Sequence, residues 1–265
     1  MSKNWQRAAQ FIAVAAAPSL GVSLAAAENL AATERRSGFD FMSRESQATQ
    51  MDDTSNPGML WVAEGEALWT AKTGQSGRSC FDCHSDAAAS MKGVAARYPV
   101  YFAEQSRPVD LQGRINICRE TMQKATPLPF ESRELLALAA FIGKQSRGLP
   151  ITTGDDLRLE PFRVNGQALY EGRQGQLNFS CADCHDANWG RKLASSVIPQ
   201  AHPTGYPLYR LEWQSIGSLQ RRLRNCMVGV RAEPYPFGSP EYIDLELFLM
   251  SRAKGMMLET PAVRP

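Results

Sequence analysis

The clearest pattern of apolar and polar positions lies near the end of each half of the chain. In both places an apolar residue returns every three or four positions, the spacing that aligns side chains on one face of a helix. Each run follows a serine, Ser132 or Ser239, of the kind that caps a helix N-terminus. The apolar positions are Leu135, Leu138 and Ile142 in the first run, and Tyr242, Leu245, Phe248 and Leu249 in the second. The pattern predicts two amphipathic helices.

Strand patterns are missing from both halves, because no stretch alternates strictly between apolar and polar residues. The predicted fold class is therefore all-α. The tryptophans and their leucine neighbours are interpreted as packing residues rather than catalytic ones. The four tryptophans of this set are Trp61, Trp69, Trp189 and Trp213.

The chain begins with an Ala-rich apolar run at 8–24, preceded by Lys3 and Arg7 and followed by an A-x-A sequence at 25–27. This is the pattern of a secretory signal peptide, predicted over 1–27 with cleavage after Ala27. A membrane anchor is the alternative, but the run is weakly apolar and is interrupted by Pro18. The mature protein is expected in the periplasm, with no membrane span.

The segment 28–55 is polar and is interpreted as an N-terminal arm. Phe39, Phe41 and Met42 within it indicate that part of the arm docks on its own body or on a partner.

The same order of short motifs occurs twice along the rest of the chain. A GEALW run begins 15 residues before Cys80, and a GQALY run begins 15 residues before Cys181. Two further pairs of runs follow in the same order, which indicates an internal duplication. The matched runs are 65–69 with 166–170, 114–118 with 222–226, and 127–130 with 234–237.

Each half contains one C-x-x-C-H sequence, the attachment signature of c-type haem. Two thiols at this spacing reach the two vinyl groups of one porphyrin, and the adjacent histidine binds the iron from the same side. A zinc site or a thioredoxin-like pair is the alternative, but no further ligand pair follows either run. The attachment cysteines are Cys80, Cys83, Cys181 and Cys184, and the proximal histidines are His84 and His185.

The sequence therefore predicts two covalently bound haem c groups in two tandem cytochrome c-like domains. The first domain spans 56–150 and the second spans 151–265, with a linker rich in proline and glycine at 143–161.

Two cysteines, Cys118 and Cys226, remain after haem attachment. They occupy matching places in the two halves, whereas no methionine is so paired and His202 has no counterpart. They are interpreted as distal thiolate ligands of the two irons. A Cys118–Cys226 disulfide and buried free thiols are alternatives.

The surroundings of these two cysteines differ in charge. The stretch before Cys226 carries three arginines, and Arg222 lies one helical turn before the sulfur if the segment is helical. A small anion would be drawn to the Cys226 side. The same arginines could instead pair with haem propionates.

The chain has 265 residues, of which 43% are hydrophobic, as expected of a globular protein. Because Lys3 and Arg7 would leave with the signal peptide, the 29 basic residues fall to match the 27 acidic ones. A neutral mature chain argues against nucleic acid as a partner.

With these motifs in place, the chain resembles SoxA, the di-haem subunit of the SoxAX cytochrome of bacterial sulfur oxidation. Besides the two haem runs, four further runs carry the resemblance, at 202–207, 211–226, 237–242 and 259–265. It implies an L-cysteine S-thiosulfotransferase, which joins thiosulfate oxidatively to a cysteine of the carrier protein SoxYZ. It also implies a small mono-haem cytochrome partner, SoxX, that takes the electrons.

The resemblance assigns roles to three residues of this chain. It places the active-site cysteine, reported in the family as a persulfide haem ligand, at Cys226 and its arginine neighbour at Arg222. It places the cysteine ligand of the N-terminal haem at Cys118. The rival readings are a di-haem electron carrier without catalysis of its own and a thiosulfate dehydrogenase that makes tetrathionate.

Overall fold

A computed structural model describes residues 30–265, so the predicted signal peptide and its cleavage site lie outside the described residues. Ten α-helices occur in this part of the chain. They are α1 Arg44–Met51, α2 Met59–Thr70, α3 Phe81–His84, α4 Ala87–Ser90, α5 Leu111–Cys118, α6 Arg133–Lys144, α7 Glu160–Glu171, α8 Cys181–His185, α9 Leu219–Gly229 and α10 Pro240–Arg252. The two amphipathic helices predicted from sequence are α6 and α10.

Short 3₁₀ turns at Gly38–Phe41, Ala95–Arg97, Ala103–Gln105 and Leu157–Leu159 join these helices. A single π-helical turn, Arg119–Gln123, follows Cys118 directly. Such turns are rare, and they often mark functional sites.

Two helix pairs form the core of the fold, α2 against α6 and α7 against α10. Each pair crosses at the glycine that opens a GEALW or GQALY run. A Cβ on Gly65 would come within 2.2 Å of the Ala137 carbonyl oxygen, and one on Gly166 within 2.0 Å of the Asp244 carbonyl oxygen. The repeated glycines therefore permit a backbone approach that no side chain allows.

The aromatic residue that ends each of these runs is buried beside a haem-attachment sequence. Trp69 donates from Nε1 to the Ser85 carbonyl at 3.0 Å. Tyr170 donates from its hydroxyl to Asp186 at 2.8 Å, and Asp186 forms a buried ion pair with Arg252 at 2.6 Å. The matched positions thus hold the end of each attachment helix against its helix pair.

The all-α prediction is not confirmed, because three small sheets accompany the helices. β1 pairs with β2 and β3 with β4, both antiparallel, while β5 lies between antiparallel β6 and parallel β7. Each strand has only two or three residues, too few for alternation to be visible in the sequence. The strands are β1 Val100–Phe102, β2 Arg107–Val109, β3 Lys192–Leu193, β4 Ser196–Val197, β5 Leu208–Arg210, β6 Ser215–Gly217 and β7 Val263–Arg264.

The described part of the N-terminal arm lies on the body of the protein. The Arg36 carbonyl accepts a hydrogen bond from Nδ1 of His202 at 2.9 Å, and the Arg36 amide donates to Gln200 at 2.6 Å. Further along, Gln50 on α1 bonds the Val263 amide at 3.0 Å. The arm thus docks on its own chain, one of the two outcomes expected from its aromatic residues.

Among residues 30–265, no helix has the length and apolar character needed to cross a membrane.

Candidate functional site

The serine and aspartate of each haem-attachment run have a structural role. Ser180 caps α8 by accepting from the Asp183 amide at 3.1 Å, while the Asp183 carboxylate accepts from the Ser180 amide at 2.9 Å. Ser79 and Asp82 make the same reciprocal pair beside α3, at 3.1 and 2.8 Å. These capping boxes hold one helical turn in place, with both cysteines and the histidine on it.

The imidazole of His185 has a fixed tautomer. Its Nδ1 lies 2.6 Å from the Pro199 carbonyl oxygen, which can only accept, so Nδ1 carries the proton. Nε2 is left as the free lone pair, as it is in histidines that bind metals. In the other half the His84 ring lies against Trp69, with 5.7 Å between ring centroids.

Cys226, on α9, lies beside His185. Burial alone raises the pKa of the Cys226 thiol, but the influence of His185 and the charges of Arg222 and Arg210 outweigh burial. The pKa of Cys226 is therefore below its usual value. Thiolate character at this sulfur suits it both as a nucleophile and as an iron ligand.

The pKa values of two attachment cysteines, Cys181 and Cys80, change in the opposite direction. Burial, followed by the nearby charges of Cys226 and Cys184, raises the pKa of Cys181 to about 12. Burial raises the pKa of Cys80 to about 11, and the charge of Cys118 adds to this rise. Each leftover cysteine thus lies beside the attachment run of its own half.

No disulfide joins Cys118 to Cys226, so this alternative lacks support. The zinc alternative also lacks support, because no three histidine, cysteine or carboxylate side chains converge as a metal-ion site within residues 30–265. A C-x-x-C-H turn with a thiolate held opposite its histidine is the donor set that fits haem c.

The arginines around Cys226 divide into two groups. Arg222 and Arg210 act on the Cys226 sulfur. Arg221 instead stacks on Trp213, 4.4 Å from the ring centroid, and Arg224 stacks on Phe237 at 4.6 Å. Burial lowers the pKa of Arg222, but the negative partners Cys226, Tyr206 and Glu212 raise it above its usual value. Arg222 therefore stays charged beside the sulfur.

The repeat equivalent of Arg222 has a different environment. Arg114 lies over the Phe102 ring, 5.0 Å from its centroid, and acts on Tyr98. The two halves therefore differ in charge around the cysteine because the equivalent arginines, Arg114 and Arg222, have different neighbours.

A family model described as "SoxA/TsdA, cytochrome c domain" matches residues 64–151 and 165–258. The SoxA protein of Pseudaminobacter salicylatoxidans, named L-cysteine S-thiosulfotransferase subunit SoxA, is 38% identical over 87% of this chain and 81% of its own length. The chain belongs to the SoxA family. The Rhodovulum sulfidophilum relative, which carries the same enzyme name, is 34% identical over 87% of this chain and 80% of its own length.

A solved SoxA-family structure has the same fold. The crystal structure of SoxXA from P. pantotrophus matches with a TM-score of 0.84 and 30% identity, covering 87% of each chain. The resemblance drawn from the motifs is confirmed, as are the enzyme family and the cytochrome c character. A cytochrome c domain carries covalently bound haem c, so this SoxA-family chain is a haem protein.

Sequence reasoning missed two groups in this SoxA-family site. The Pro199 carbonyl comes from a loop, and Tyr206 lies beside Arg222 and Cys226. Arg210, a basic residue visible in the sequence near the Cys226 stretch, comes from β5. One signal could have found Tyr206: a Tyr-Pro pair stands 20 residues before each leftover cysteine, at Tyr98 and at Tyr206. Nothing in the sequence marks the Pro199 carbonyl, because any residue can present one.

Proposed function

We propose that this chain joins thiosulfate oxidatively to a cysteine of the sulfur-carrier protein SoxYZ. The observation that carries the proposal is the Cys226 sulfur, which lies between His185 and two arginines with its pKa lowered. A thiosulfate dianion needs fixed positive charge beside the sulfur that it joins, and Arg222 and Arg210 supply that charge. The enzyme name of the curated relatives is consistent with this reaction.

In the proposed first step, Arg222 and Arg210 hold the sulfonate end of thiosulfate while its outer sulfur meets the Cys226 sulfur. A sulfur–sulfur bond forms between the Cys226 thiolate and the thiosulfate dianion, and two electrons leave the pair. Haem c, when bound there, would supply the one-electron acceptor that passes these electrons to the partner cytochrome. The planar guanidinium of Arg222 suits the oxygen atoms of a sulfonate better than an ammonium does.

In the second step, the carrier cysteine attacks as a thiolate at the sulfur that came from thiosulfate. The new sulfur–sulfur bond forms as the bond to Cys226 breaks, which returns Cys226 as a thiolate. The lowered pKa makes Cys226 a good leaving group for this exchange. The net change is one new bond in the carrier and two electrons released.

We also propose two haem c groups, one on each C-x-x-C-H run. Cys80 and Cys83 would attach the first, with His84 and Cys118 as axial ligands. The second would be held by Cys181, Cys184, His185 and Cys226. Electron paramagnetic resonance of the holoprotein should then give two low-spin ferric haems with histidine and thiolate ligands.

The remaining parts of the proposal concern assembly and location. The domain boundaries 28–55, 56–150 and 151–265 follow the sequence repeat. A SoxX-like mono-haem cytochrome is the proposed partner, since the matching structure is of a SoxXA complex. Secretion to the periplasm after cleavage at Ala27 is proposed, because haem c is attached outside the cytoplasm in bacteria.

The test compares Cys226→Ser with its repeat-matched control Cys118→Ser, both loaded with two haems. Cys226→Ser should reduce turnover of thiosulfate with the carrier to background, because the substitution removes the reacting sulfur. Cys118→Ser should retain a substantial fraction. Turnover is followed by mass spectrometry as the thiosulfate group bound to the carrier cysteine and by absorbance as haem reduction.

Two results would replace the proposal with a rival. Haem reduction by thiosulfate that yields tetrathionate without the carrier would indicate a thiosulfate dehydrogenase. Histidine or methionine opposite both proximal histidines in the resonance spectrum would indicate an electron carrier.

A further inference from the structure

A small cavity lies where the two cysteine-bearing helices begin, and two carboxyl side chains are among the residues that line it. α5 carries Cys118 and α9 carries Cys226, and each starts eight residues before its cysteine, at the caps Asp110 and Ser218. Residues from both helix starts line one cavity of about 50 Å³, together with Glu246 of α10. A cavity of this size has room for a few water molecules.

Two carboxyl groups share this cavity without a cation. Asp110 is 2% exposed, and its oxygens accept from the Gly113 amide at 2.7 Å and from Gln220 Nε2 at 3.1 Å. Within residues 30–265, neither Asp110 nor Glu246 takes part in an ion pair. Glu246 is partly buried. Two neighbouring carboxylates that are withdrawn from water without a counter-charge are disfavoured.

A third side chain indicates what the cavity holds. Gln112 is 7% exposed and lines the same cavity, and its Oε1 accepts no hydrogen bond from any described residue. An amide oxygen buried in this way requires a donor. A protonated carboxyl group or a water molecule supplies one, and an ionised carboxylate does not.

We propose that Asp110 and Glu246 together hold one proton at neutral pH, hydrogen-bonded with water and Gln112, and that this proton site responds to the charge of the haems bound on either side. The link to the haems rests on the proposed ligation by Cys118 and Cys226. The existence of the shared proton does not depend on that ligation.

The titration behaviour of the pair agrees with the geometry. Burial raises the pKa of Asp110 to about 6. Burial and then the charge of Asp110 raise the pKa of Glu246 well above its usual value. The capping bonds at the start of α5 stabilise an ionised Asp110, so Glu246 is the better holder of the proton.

The other titratable groups on the surrounding elements act elsewhere. Arg107 and Glu241 influence the pKa of Asp244, and Arg97 and Arg114 influence that of Tyr98. Three arginines influence the pKa of Tyr206, namely Arg210, Arg222 and Arg264. Arg264 also forms an ion pair with Glu259, and Glu131 accepts a hydrogen bond from the Ser218 amide. Tyr98 and Tyr206 line the cavity, and the charges of Cys118 and Cys226 act on Tyr98 and Tyr206 respectively.

The cavity is at a similar distance from both cysteines. Eight residues of helix correspond to about 12 Å. At that distance and an effective dielectric constant of about 20, one added electron changes the proton affinity of the pair by about tenfold. Reduction adds one negative charge, and a proton from solvent converts the singly protonated pair to the doubly protonated one.

The first measurement is the infrared spectrum of the holoprotein at pH 7, compared in H₂O and D₂O. Wild type should show a protonated carboxylic acid band that is lost in Glu246→Gln and kept in Glu241→Gln, a control on the same helix outside the cavity. Identical bands in wild type and Glu246→Gln would overturn the proton site. A bound cation is the competing occupant of the cavity. If the band is absent and Ca²⁺ stabilises the wild-type protein but not Glu246→Gln, the cavity holds a cation and the proton site is refuted.

The second measurement is the midpoint potential of each haem between pH 5 and pH 8. The potential should fall as pH rises in wild type, in Glu241→Gln and in Glu246→Gln, because Asp110 is the group that takes up the proton on reduction. The slope should flatten in Asp110→Asn. Equal slopes in all four proteins would overturn the link to the haems, whatever the infrared result. Failure of the proposed ligation is recognised separately by electron paramagnetic resonance, and in that case the infrared band still decides the proton site.

Discussion

The duplicated architecture can be tested directly by adding a methyl group at one of the helix crossings. In Gly166→Ala the new Cβ would lie 2.0 Å from the backbone carbonyl oxygen of Asp244, and within 2.9 Å of Phe248. Ordinary contact begins near 3.4 Å, so α7 and α10 must separate by more than an ångström. The obstacle is backbone, so no side-chain rotation relieves it.

The magnitude follows from two opposing terms. Overpacking a tightly packed contact costs about 1–3 kcal/mol. Replacing a helical glycine by alanine returns about 0.5–1 kcal/mol through backbone entropy and helix propensity. The contact at Gly166 is with backbone, so we expect the upper part of the range and a net loss of about 2 kcal/mol. For a chain of this size the melting temperature should fall by about 4–8 °C.

The matched control is Gly229→Ala, because Gly229 is also helical and a Cβ there meets nothing within 4 Å. It should leave the melting temperature unchanged or raise it slightly. The assay is calorimetric melting of both variants beside wild type, each at full haem loading. Gly65→Ala, whose Cβ would lie 2.2 Å from the Ala137 carbonyl oxygen, should repeat the loss in the other half. If Gly166→Ala melts with the control, the repeated glycines are not required for the helix crossings.

Two further outcomes test the site and the arm. Arg222→Lys should lower kcat/KM for thiosulfate by about tenfold or more. Arg221→Lys alters a stack on Trp213 and a hydrogen bond to Ser215, so it should lower kcat/KM little, and equal losses in the two variants would remove the special role of Arg222. Burial lowers the pKa of His202 to about 4, so the unfolded chain takes up a proton at a higher pH than the folded protein does, and wild-type stability declines as pH falls from about 6.5 to 4. In His202→Asn, melting measured across this pH range should show a decline that is smaller by up to about 3 kcal/mol. An equal decline in wild type and His202→Asn would refute the reasoning.

Much of the site follows from local sequence. The turn that carries Cys181, Cys184 and His185 is specified within six residues, because its serine and aspartate cap it reciprocally. Helices α6 and α10 also follow from their apolar spacing and their serine caps. Short-range hydrogen bonds and helical periodicity suffice for these features, so they can be read without a fold.

The short strands could not be predicted in this way. β5 pairs with β6 in sequence and with β7, more than fifty residues later, and each contributes only two or three residues. Such strands have no periodicity of their own. They form because the packed helices bring their backbones together.

The sequence by itself determined the haem-attachment turns, the internal repeat and the equivalence of the positions of Cys118 and Cys226 within that repeat. Only the tertiary structure decided that Arg222 points at the sulfur while its equivalent Arg114 stacks on Phe102. The same holds for Asp110 and Glu246, which lie 136 positions apart in the chain and share one cavity. Side-chain direction and burial depend on what the rest of the chain packs against each residue, and a local pattern does not contain that information.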